Sequence, residues 1–215
     1  GKKIKSVSSD PSDSIAGQMW YNTTTQSLRG LAILEAWSSG GTANTARDSA
    51  ASTGPQTNAL VHGGATPSRT TATEEYDGIG WATGGALPTA TTGMGSARNA
   101  SGTAALGAGG YDGAKTGAGY TYTGSSWSGI PSLGTPRQLY MVGGGTSTAA
   151  IVFGGDTWPP APGRHSTATE EYDGSSWTAG GSFVGAGGYS GAGTGLQTAA
   201  VSMGCLLYTS DAADE

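Results

Sequence analysis

The chain of 215 residues is predicted to fold as an all-β protein built from similar four-stranded units. The octapeptide TATEEYDG stands at 71–78 and again at 167–174, and a degraded copy, GAGYTYTGSSW, lies between them at 117–127. Tryptophans also recur, at Trp37, Trp81, Trp127 and Trp177. This spacing indicates stacked repeats, since about 45 residues accommodate the four short strands of one β-propeller blade. The sequence therefore predicts a partial β-propeller of about three blades and a truncated fourth.

The composition is rich in glycine and alanine and leaves a disordered spacer as an alternative. The chain contains 40 glycines and 9 prolines, as low-complexity polymers do. However, only 12% of its residues are charged, so self-repulsion is weak, and the large apolar residues recur in register. We expect an ordered repeat protein whose blades bury little apolar area and depend on their neighbours.

Charge and hydropathy exclude several classes of partner. The net charge of −5 is small, and GKKIK at residues 1–5 is the one cluster of basic residues, so we expect no nucleic acid partner. No apolar run approaches the roughly 18 residues of a membrane-spanning helix. The basic start is followed by SVSSDPSDS, so no signal peptide is visible and no membrane insertion is expected.

Each unit contains a short apolar run that stops at glycine. The four runs are QTNALVHGG, GTAALGAGG, STAAIVFGG and QTAAVSMG, and the last has one glycine where the others have two. A run of this kind predicts a buried strand whose end needs a positive φ angle or close backbone approach. The complete pairs are Gly63 and Gly64, Gly109 and Gly110, and Gly154 and Gly155.

A tyrosine follows each glycine pair, and a tryptophan follows the tyrosine by five residues. The pairs are Tyr76 and Trp81, Tyr122 and Trp127, and Tyr172 and Trp177. A turn lies between the two rings, with Asp77 or Asp173 before glycine in the outer units and Thr123 in the middle one. Aromatic residues on both sides of a turn predict a β-hairpin. In three units an arginine then precedes the next apolar run: Arg47, Arg98 and Arg137.

This order of residues resembles the kelch-type repeat, in which an arginine precedes a strand ending in Gly-Gly, followed by Tyr-Asp and then Trp. The resemblance covers residues 37–204 and implies a kelch-like β-propeller with units 37–80, 81–126, 127–176 and a partial unit 177–204. Some kelch-type propellers are copper oxidases that need a cysteine-modified tyrosine. This chain has one cysteine, Cys205, in a segment that we expect not to be native, so we expect no cofactor and no enzyme activity.

The first 36 residues differ in kind from the repeats. Met19, Trp20 and Tyr21 predict a short aromatic strand, and residues 22–26 predict a polar turn. The segment resembles the G-x-x-WYN stretch that introduces repeat regions in tail-fibre proteins of marine bacteriophages. The array ATEEYDGSSWTAGGS is similar to repeats of the same proteins. The resemblance implies a virion structural or adhesive protein that contacts other virion proteins and a bacterial surface glycan or protein, with residues 1–36 as a fibre attachment region. The alternative is a cellular, cytoplasmic kelch-type scaffold that binds proteins.

The last eleven residues, CLLYTSDAADE at 205–215, do not follow the repeat pattern. They contain no glycine, three carboxylates and the single cysteine. They are similar to a translated transposase adapter of sequencing libraries, so we expect them to be an artefact and not native sequence.

Other candidate motifs favour structural roles. In a strand, Glu74 and Glu75 are expected to point to opposite faces, and Asp77 is expected to serve the turn. His62 and His165 occupy non-equivalent places in the repeat, so we expect no shared catalytic or metal site. His62 is expected at the end of a strand. The glycine-rich stretch at 185–193 is not followed by a helix pattern or a P-loop lysine, so we expect no phosphate site.

One loop interrupts the repeat pattern and is a candidate for binding. The stretch GGDTWPPAPGRH lengthens its unit and places Trp158 next to two prolines. A loop aromatic stiffened by prolines is a plausible contact for a sugar or a protein surface. We therefore predict Trp158 as a binding residue, with a cap on the blade edge as the alternative.

Overall fold

The computed structural model describes residues 4–12, 18–30, 40–139, 143–157, 165–182 and 192–203. The regular elements within these ranges are all β-strands. The chain divides into two compact units, residues 1–39 and residues 40–215. Trp37, Trp158 and the segment 205–215 lie outside the described residues.

The N-terminal unit is a small sheet organised around one carboxylate. Its strands are β1 (Lys5–Val7), β2 (Met19–Asn22) and β3 (Ser27–Gly30), with β1 parallel and β3 antiparallel to β2. Asp10 accepts hydrogen bonds from Trp20 Nε1 at 2.9 Å, Asn22 Nδ2 at 2.8 Å and Arg29 Nη1 at 3.0 Å. These bonds, that of Asn22 first, lower the pKa of Asp10. Because bonds to the charged form favour it, the carboxylate stays ionised and anchors both strands of the hairpin.

The second unit contains three four-stranded antiparallel sheets, each a meander in sequence order. Blade 1 consists of β4 (Ala51–Thr53), β5 (Ala59–His62), β6 (Thr73–Tyr76) and β7 (Trp81–Thr83). Blade 2 consists of β8 (Gly95–Ser96), β9 (Leu106–Ala108), β10 (Gly119–Tyr122) and β11 (Trp127–Ile130). Blade 3 consists of β12 (Gly144–Gly145), β13 (Ala150–Phe153), β14 (Thr169–Tyr172) and β15 (Trp177–Ala179).

A two-stranded hairpin follows the three blades. It consists of β16 (Ala192–Leu196) and β17 (Ala199–Met203), paired antiparallel. The run QTAAVSMG falls on β17, as the equivalent runs fall on the second strand of each blade, so the hairpin corresponds to the first two strands of a further blade. The fold is thus an all-β, partial kelch-like β-propeller, as predicted.

The sequence-based units and the sheets are offset by one strand. The units 81–126 and 127–176 begin at a tryptophan, whereas that tryptophan opens the last strand of the preceding sheet. Each of these two units therefore contains the last strand of one sheet and the first three strands of the next.

The apolar core lies between blades. One cluster joins blades 1 and 2 and includes Leu60, Met94 and Tyr122. A second cluster joins blades 2 and 3 and includes Leu106, Val152 and Tyr172. Because these side chains are shared, each blade is stabilised by its neighbour. A search of the described residues for helices that could span a membrane finds none.

Candidate functional site

The glycine pairs hold adjacent blades together through their backbone. Gly63 and Gly64 have φ angles of 63° and 91°, and the φ angles of the glycine pairs in blades 2 and 3 are also positive. The second glycine donates a hydrogen bond to the next blade, from Gly64 N to Thr91 O at 2.9 Å and from Gly110 N to Arg137 O at 2.8 Å. These bonds identify Thr91 and Arg137 as equivalent positions in successive blades.

The Tyr–Trp pairs are framework residues of the last hairpin in each blade. Tyr76 and Trp81, Tyr122 and Trp127, and Tyr172 and Trp177 are cross-strand partners with ring centroids 5.0, 5.0 and 5.1 Å apart. The aspartates that follow two of the tyrosines close the turn, as predicted: Asp77 Oδ1 accepts hydrogen bonds from the backbone N of Ile79 and of Gly80. The equivalent bonds to Asp173, that of the Ser175 side chain first, lower the pKa of Asp173 to about 2.

A buried arginine–glutamate pair lies in blades 1 and 3. Arg47 bonds Glu74 in blade 1, and Arg137 Nη2 donates to Glu170 Oε1 at 2.9 Å in blade 3. Burial lowers the pKa of Arg137, and Glu170 partly opposes that shift. Glu170 also accepts a hydrogen bond from Gly134 N at 2.6 Å, so each carboxylate ties its strand to the segment that enters the blade.

Blade 2 does not have this pair, although Arg98 precedes its apolar run in the sequence. Arg98 follows the first strand of its blade, whereas Arg47 and Arg137 precede theirs, so Arg98 is not their equivalent. Thr91 occupies the arginine position, and Tyr120 occupies the glutamate position. In the linear sequence, Arg98 precedes an apolar run and a glycine pair, as Arg47 and Arg137 do. That order does not show whether an arginine lies before or after the short first strand of its blade.

The second glutamate of EEY links two blades. Tyr122 of blade 2 donates a hydrogen bond to Glu75 of blade 1, and its oxygen also accepts one from Gly85 N at 3.1 Å. Burial, followed by the hydrogen bond with Glu75, raises the pKa of Tyr122. Glu74 and Glu75 thus point to different partners, and both serve the framework.

His62 is a buried strand-end residue, as predicted. It is the last residue of β5, and its ring lies 4.7 Å from that of Trp127. Burial first, then the charges of Arg47 and Arg98, lower the pKa of His62 to about 3. The ring is therefore neutral at physiological pH. The described residues contain no group of three or more His, Cys, Asp or Glu placed to hold a metal ion.

Several equivalent positions at one end of the sheets carry different residues in successive blades, such as Ala65, Tyr111 and Asp156. In an antiparallel meander, the loop from the second to the third strand and the segment leaving the last strand lie at the same end. We call this end the loop face. Its described residues in blades 1 and 2 are 47–50, 65–72, 89–94 and 111–118.

The loop face carries a contact from each blade to the next. Arg69 of blade 1 lies over the Tyr111 ring of blade 2, with 5.3 Å from Cζ to the centroid. In the next pair of blades, Lys115 Nζ lies 2.7 Å from Asp156 Oδ1. Arg69, Lys115 and His165 are equivalent, because each pairs with the residue that follows its own glycine pair. A basic residue therefore meets either an aromatic ring or a carboxylate of the neighbouring blade.

A cavity of about 620 Å³ opens on the loop face between blades 1 and 2. Both blades and the segments entering them contribute polar side chains and one aromatic ring. The lining includes Asp48, Ser49, Arg69, Thr92, Tyr111 and Asp112. The cavity has the volume of a small-molecule site, and its open, polar lining suits a polar ligand.

Ser49 brings backbone strain to this cavity. Its φ angle is 52°, in the left-handed region that non-glycine residues seldom adopt. Gly93 is its equivalent in blade 2 and has a φ angle of 62°. A serine therefore stands where glycine fits better, and strain of this kind concentrates at binding sites.

A second cavity, of about 400 Å³, lies at the opposite end of blade 1 and differs in kind. Its lining includes Tyr76, Asp77 and Trp81, which recur as framework residues of the repeat. Because those residues are already needed for the hairpin, the loop-face cavity is the better candidate for a site.

The sequence interpretation did not identify the loop-face cavity. Trp158, the predicted binding residue, falls in the corresponding loop of blade 3, within residues 158–164 that lie outside the described ranges. A signal was present in the residue after each glycine pair, which is Ala65, Tyr111 or Asp156. Variation at one fixed position of a repeat indicates a residue that the fold itself does not require.

Comparison with known proteins supports the fold alone. No family model matches the chain, and no curated protein matches it. Among solved structures, that of the protein YjhT is similar over 76% of this chain, with 17% sequence identity and a TM-score of 0.50. The match spans 51% of YjhT, so this chain corresponds to about half of that protein's length. The likeness agrees with a partial kelch-like β-propeller.

Proposed function

We propose that this chain is a non-enzymatic adhesive protein of a bacteriophage virion, of the tail-fibre type, and that its loop face binds a glycan or protein on a bacterial surface. The observation that carries the proposal is that framework residues and loop-face residues are different parts of the repeat. Glycine pairs, Tyr–Trp pairs and buried ion pairs form the framework, whereas the loop-face residues differ from blade to blade and line an open cavity.

We expect each contact through the loop face to have a low affinity and many simultaneous contacts to give a high avidity. The loop-face cavity is open and polar, which suits a modest affinity for one ligand. Several fibres on one particle raise the effective concentration of each further contact, so avidity replaces a deep pocket.

The N-terminal unit supports a role in attachment to other virion proteins. Ile4, Met19, Tyr21 and Leu28 expose 51%, 51%, 38% and 54% of their surface. Tyr21 and Leu28 are cross-strand partners, so their side chains lie on one face of the small sheet. Exposed apolar side chains on a small sheet suit contact with a second protein. The virion origin itself rests on the sequence resemblance of this unit and of the repeats.

Fractionation tests the virion assignment against the cellular alternative. An antibody raised against the whole chain is used to probe particle and cytosolic fractions of a culture that produces the protein. We expect the signal to sediment with tailed particles and to resist nuclease and salt washing. A signal confined to the cytosol would contradict the virion assignment and favour a kelch-type scaffold that binds cellular proteins.

Cell binding tests the adhesive role. The fluorescently labelled chain is displayed on beads, to restore multivalency, and mixed with a panel of bacterial strains. We expect binding to a subset of strains, and loss of binding when the loop face is altered by Arg69→Ala with Tyr111→Leu. Equal binding by the Glu171→Gln variant serves as the control, because Glu171 lies on β14 away from this cavity. Binding that is indifferent to both changes would contradict the role of the loop face.

A further inference from the structure

We propose that the loop-face cavity is a site for a neutral pyranose sugar. The inference rests on the proposed adhesive function and specifies the ligand class of the same site. It assigns the sugar contacts to Tyr111, Asp48, Asp112, Ser49 and Arg69, all of which line the cavity.

The cavity offers both kinds of surface that a sugar presents. A pyranose has an apolar C–H face and a rim of hydroxyl groups. Tyr111 is half-buried and supplies an aromatic ring at the cavity wall, which suits the C–H face. Carboxylates, a guanidinium and a serine hydroxyl surround that ring, and they suit the rim.

The charges select a neutral polyhydroxyl ligand over an acidic one. The side chains of Asp48 and Asp112 are acceptors, and Arg69, which lines the same cavity, is a donor. A sugar hydroxyl both donates and accepts, so it can bond to each of these groups through charge-assisted hydrogen bonds. A sugar carboxylate would meet two like charges and one opposite charge, which disfavours its ionised form.

The position of Arg69 also disfavours a cationic ligand. Tyr111 together with two carboxylates would otherwise suit an ammonium group. The Arg69 guanidinium, however, already occupies a position over the Tyr111 ring, 5.3 Å from its centroid. A second cation at the ring would be repelled by the first, whereas a neutral ligand meets no such repulsion.

The strained backbone at Ser49 points to a role in binding that the fold does not explain. Glycine would remove the steric cost of the φ angle of 52°, as Gly93 does in blade 2. Ser49 is one of the residues that line the cavity. The hydroxyl therefore suits a hydrogen bond to the ligand, and its removal should affect binding without harming the fold.

Saturation-transfer NMR with simple methyl glycosides tests the ligand class. The whole chain is mixed with neutral methyl glucoside, galactoside and mannoside, with methyl glucuronide and with methyl glucosaminide. We expect transfer to at least one neutral pyranoside, strongest at its C–H face and at least fivefold above that to the acidic and amino sugars. Transfer to none of the neutral sugars, or preference for the charged ones, would overturn the proposal.

Variants locate the site and separate binding from stability. Tyr111→Leu and Asp48→Asn should each reduce transfer at least fivefold, and Tyr111→Phe should retain it. Ser49→Gly should also reduce transfer while leaving the melting temperature unchanged or higher. Tyr21→Leu and Glu171→Gln are matched controls and should leave transfer unchanged. Full transfer in Tyr111→Leu, or a lower melting temperature in Ser49→Gly with no change in transfer, would overturn the assignment.

Different experimental results would contradict the sugar site and the adhesive function. If beads carrying the chain bind cells through the loop face but no neutral pyranoside binds, the ligand class is wrong and the adhesive function stands. If a neutral pyranoside binds in a Tyr111-dependent way but the beads bind no cells, the site stands and the adhesive function is wrong.

Discussion

At the scale of single residues, two features of the glycine pairs require glycine: the positive φ angles and the close approach of the next blade. A Cβ atom added to Gly63 would lie 2.5 Å from Thr91 O of the entering segment of blade 2, and its φ angle is 63°. The clash adds to the strain of the φ angle, because Thr91 O belongs to the packed backbone between the blades and cannot easily move away.

Gly63→Ala should therefore destabilise the protein by about 2 kcal/mol or more, from the positive φ angle and the clash together. Gly80→Ala is the matched control, since no atom lies within 4 Å of a Cβ at Gly80, and it should change stability by less than about 0.5 kcal/mol. Urea denaturation followed by tryptophan fluorescence measures both. Equal stability of the two variants would contradict the requirement.

His62 should make stability depend on pH. Its pKa is about 3 in the folded protein, against 6.5 for an unperturbed histidine. Between these values the unfolded chain binds a proton that the folded protein does not, so stability is complete above about pH 6.5 and falls as the pH is lowered. The free energy of unfolding should drop by about 2 kcal/mol between pH 7 and pH 5.

His62→Leu removes the titrating group, so its stability should be nearly constant over the same interval. Urea denaturation at pH 7, 6 and 5 measures the slope of both proteins. The interval lies above the ordinary pKa range of the aspartates, whose titration would otherwise add to the slope. Parallel slopes in the two proteins would show that His62 is not the source.

At the scale of elements, the three blades form the same sheet with different residues at two equivalent positions. Blades 1 and 3 have a buried arginine–glutamate pair there, whereas blade 2 has a buried Thr91 and a partly buried Tyr120. The Tyr120 hydroxyl reaches Thr89 Oγ1 at 3.4 Å. The charged pair is therefore one of two arrangements found in the same kind of sheet. The free energy cost of burying the arginine becomes measurable when its glutamate partner is removed.

Glu170→Ala should destabilise the protein by about 3 to 5 kcal/mol, because it leaves the buried charge of Arg137 unpaired. The double variant Arg137→Thr, Glu170→Tyr copies the arrangement of blade 2 and should be more stable than the single variant. Thermal denaturation of the wild type, the single and the double variant measures the difference. A double variant less stable than Glu170→Ala would mean that the two arrangements are not interchangeable.

At the scale of the whole molecule, the shared clusters predict that damage to blade 2 spreads to its neighbour. Leu106 is fully buried and packs with Val152 and Tyr172 of blade 3. Leu106→Ala should cost about 2 to 5 kcal/mol. Hydrogen exchange should then show weaker protection of β13 as well as β9. Leu28→Ala, at a residue 54% exposed in the N-terminal unit, is the control and should leave both strands unchanged.

A loss of protection restricted to β9 would contradict this expectation and would mean that the blades unfold independently. The expectation follows from the architecture, because each buried apolar cluster is shared by two adjacent sheets. Each blade has too little apolar surface of its own to be stable alone.

The sequence by itself determined the architecture: the repeated TATEEYDG, the Tyr–Trp spacing and the glycine pairs predicted antiparallel four-stranded sheets and their number. It did so because hairpins and strand ends are local, and the residues that form them recur at fixed distances. It also predicted the turn role of Asp77 and the strand-end position of His62. It did not show that Arg98 follows the first strand of its blade, because the order of arginine, apolar run and glycine pair is the same on either side of that strand.

Only the tertiary structure decided which residues meet across blades. The contacts of Tyr122 with Glu75 and of Arg69 with Tyr111 join residues 47 and 42 positions apart, and the loop-face cavity draws its lining from two blades and two entering segments. No local pattern encodes such a meeting, because it depends on how one sheet stacks on the next.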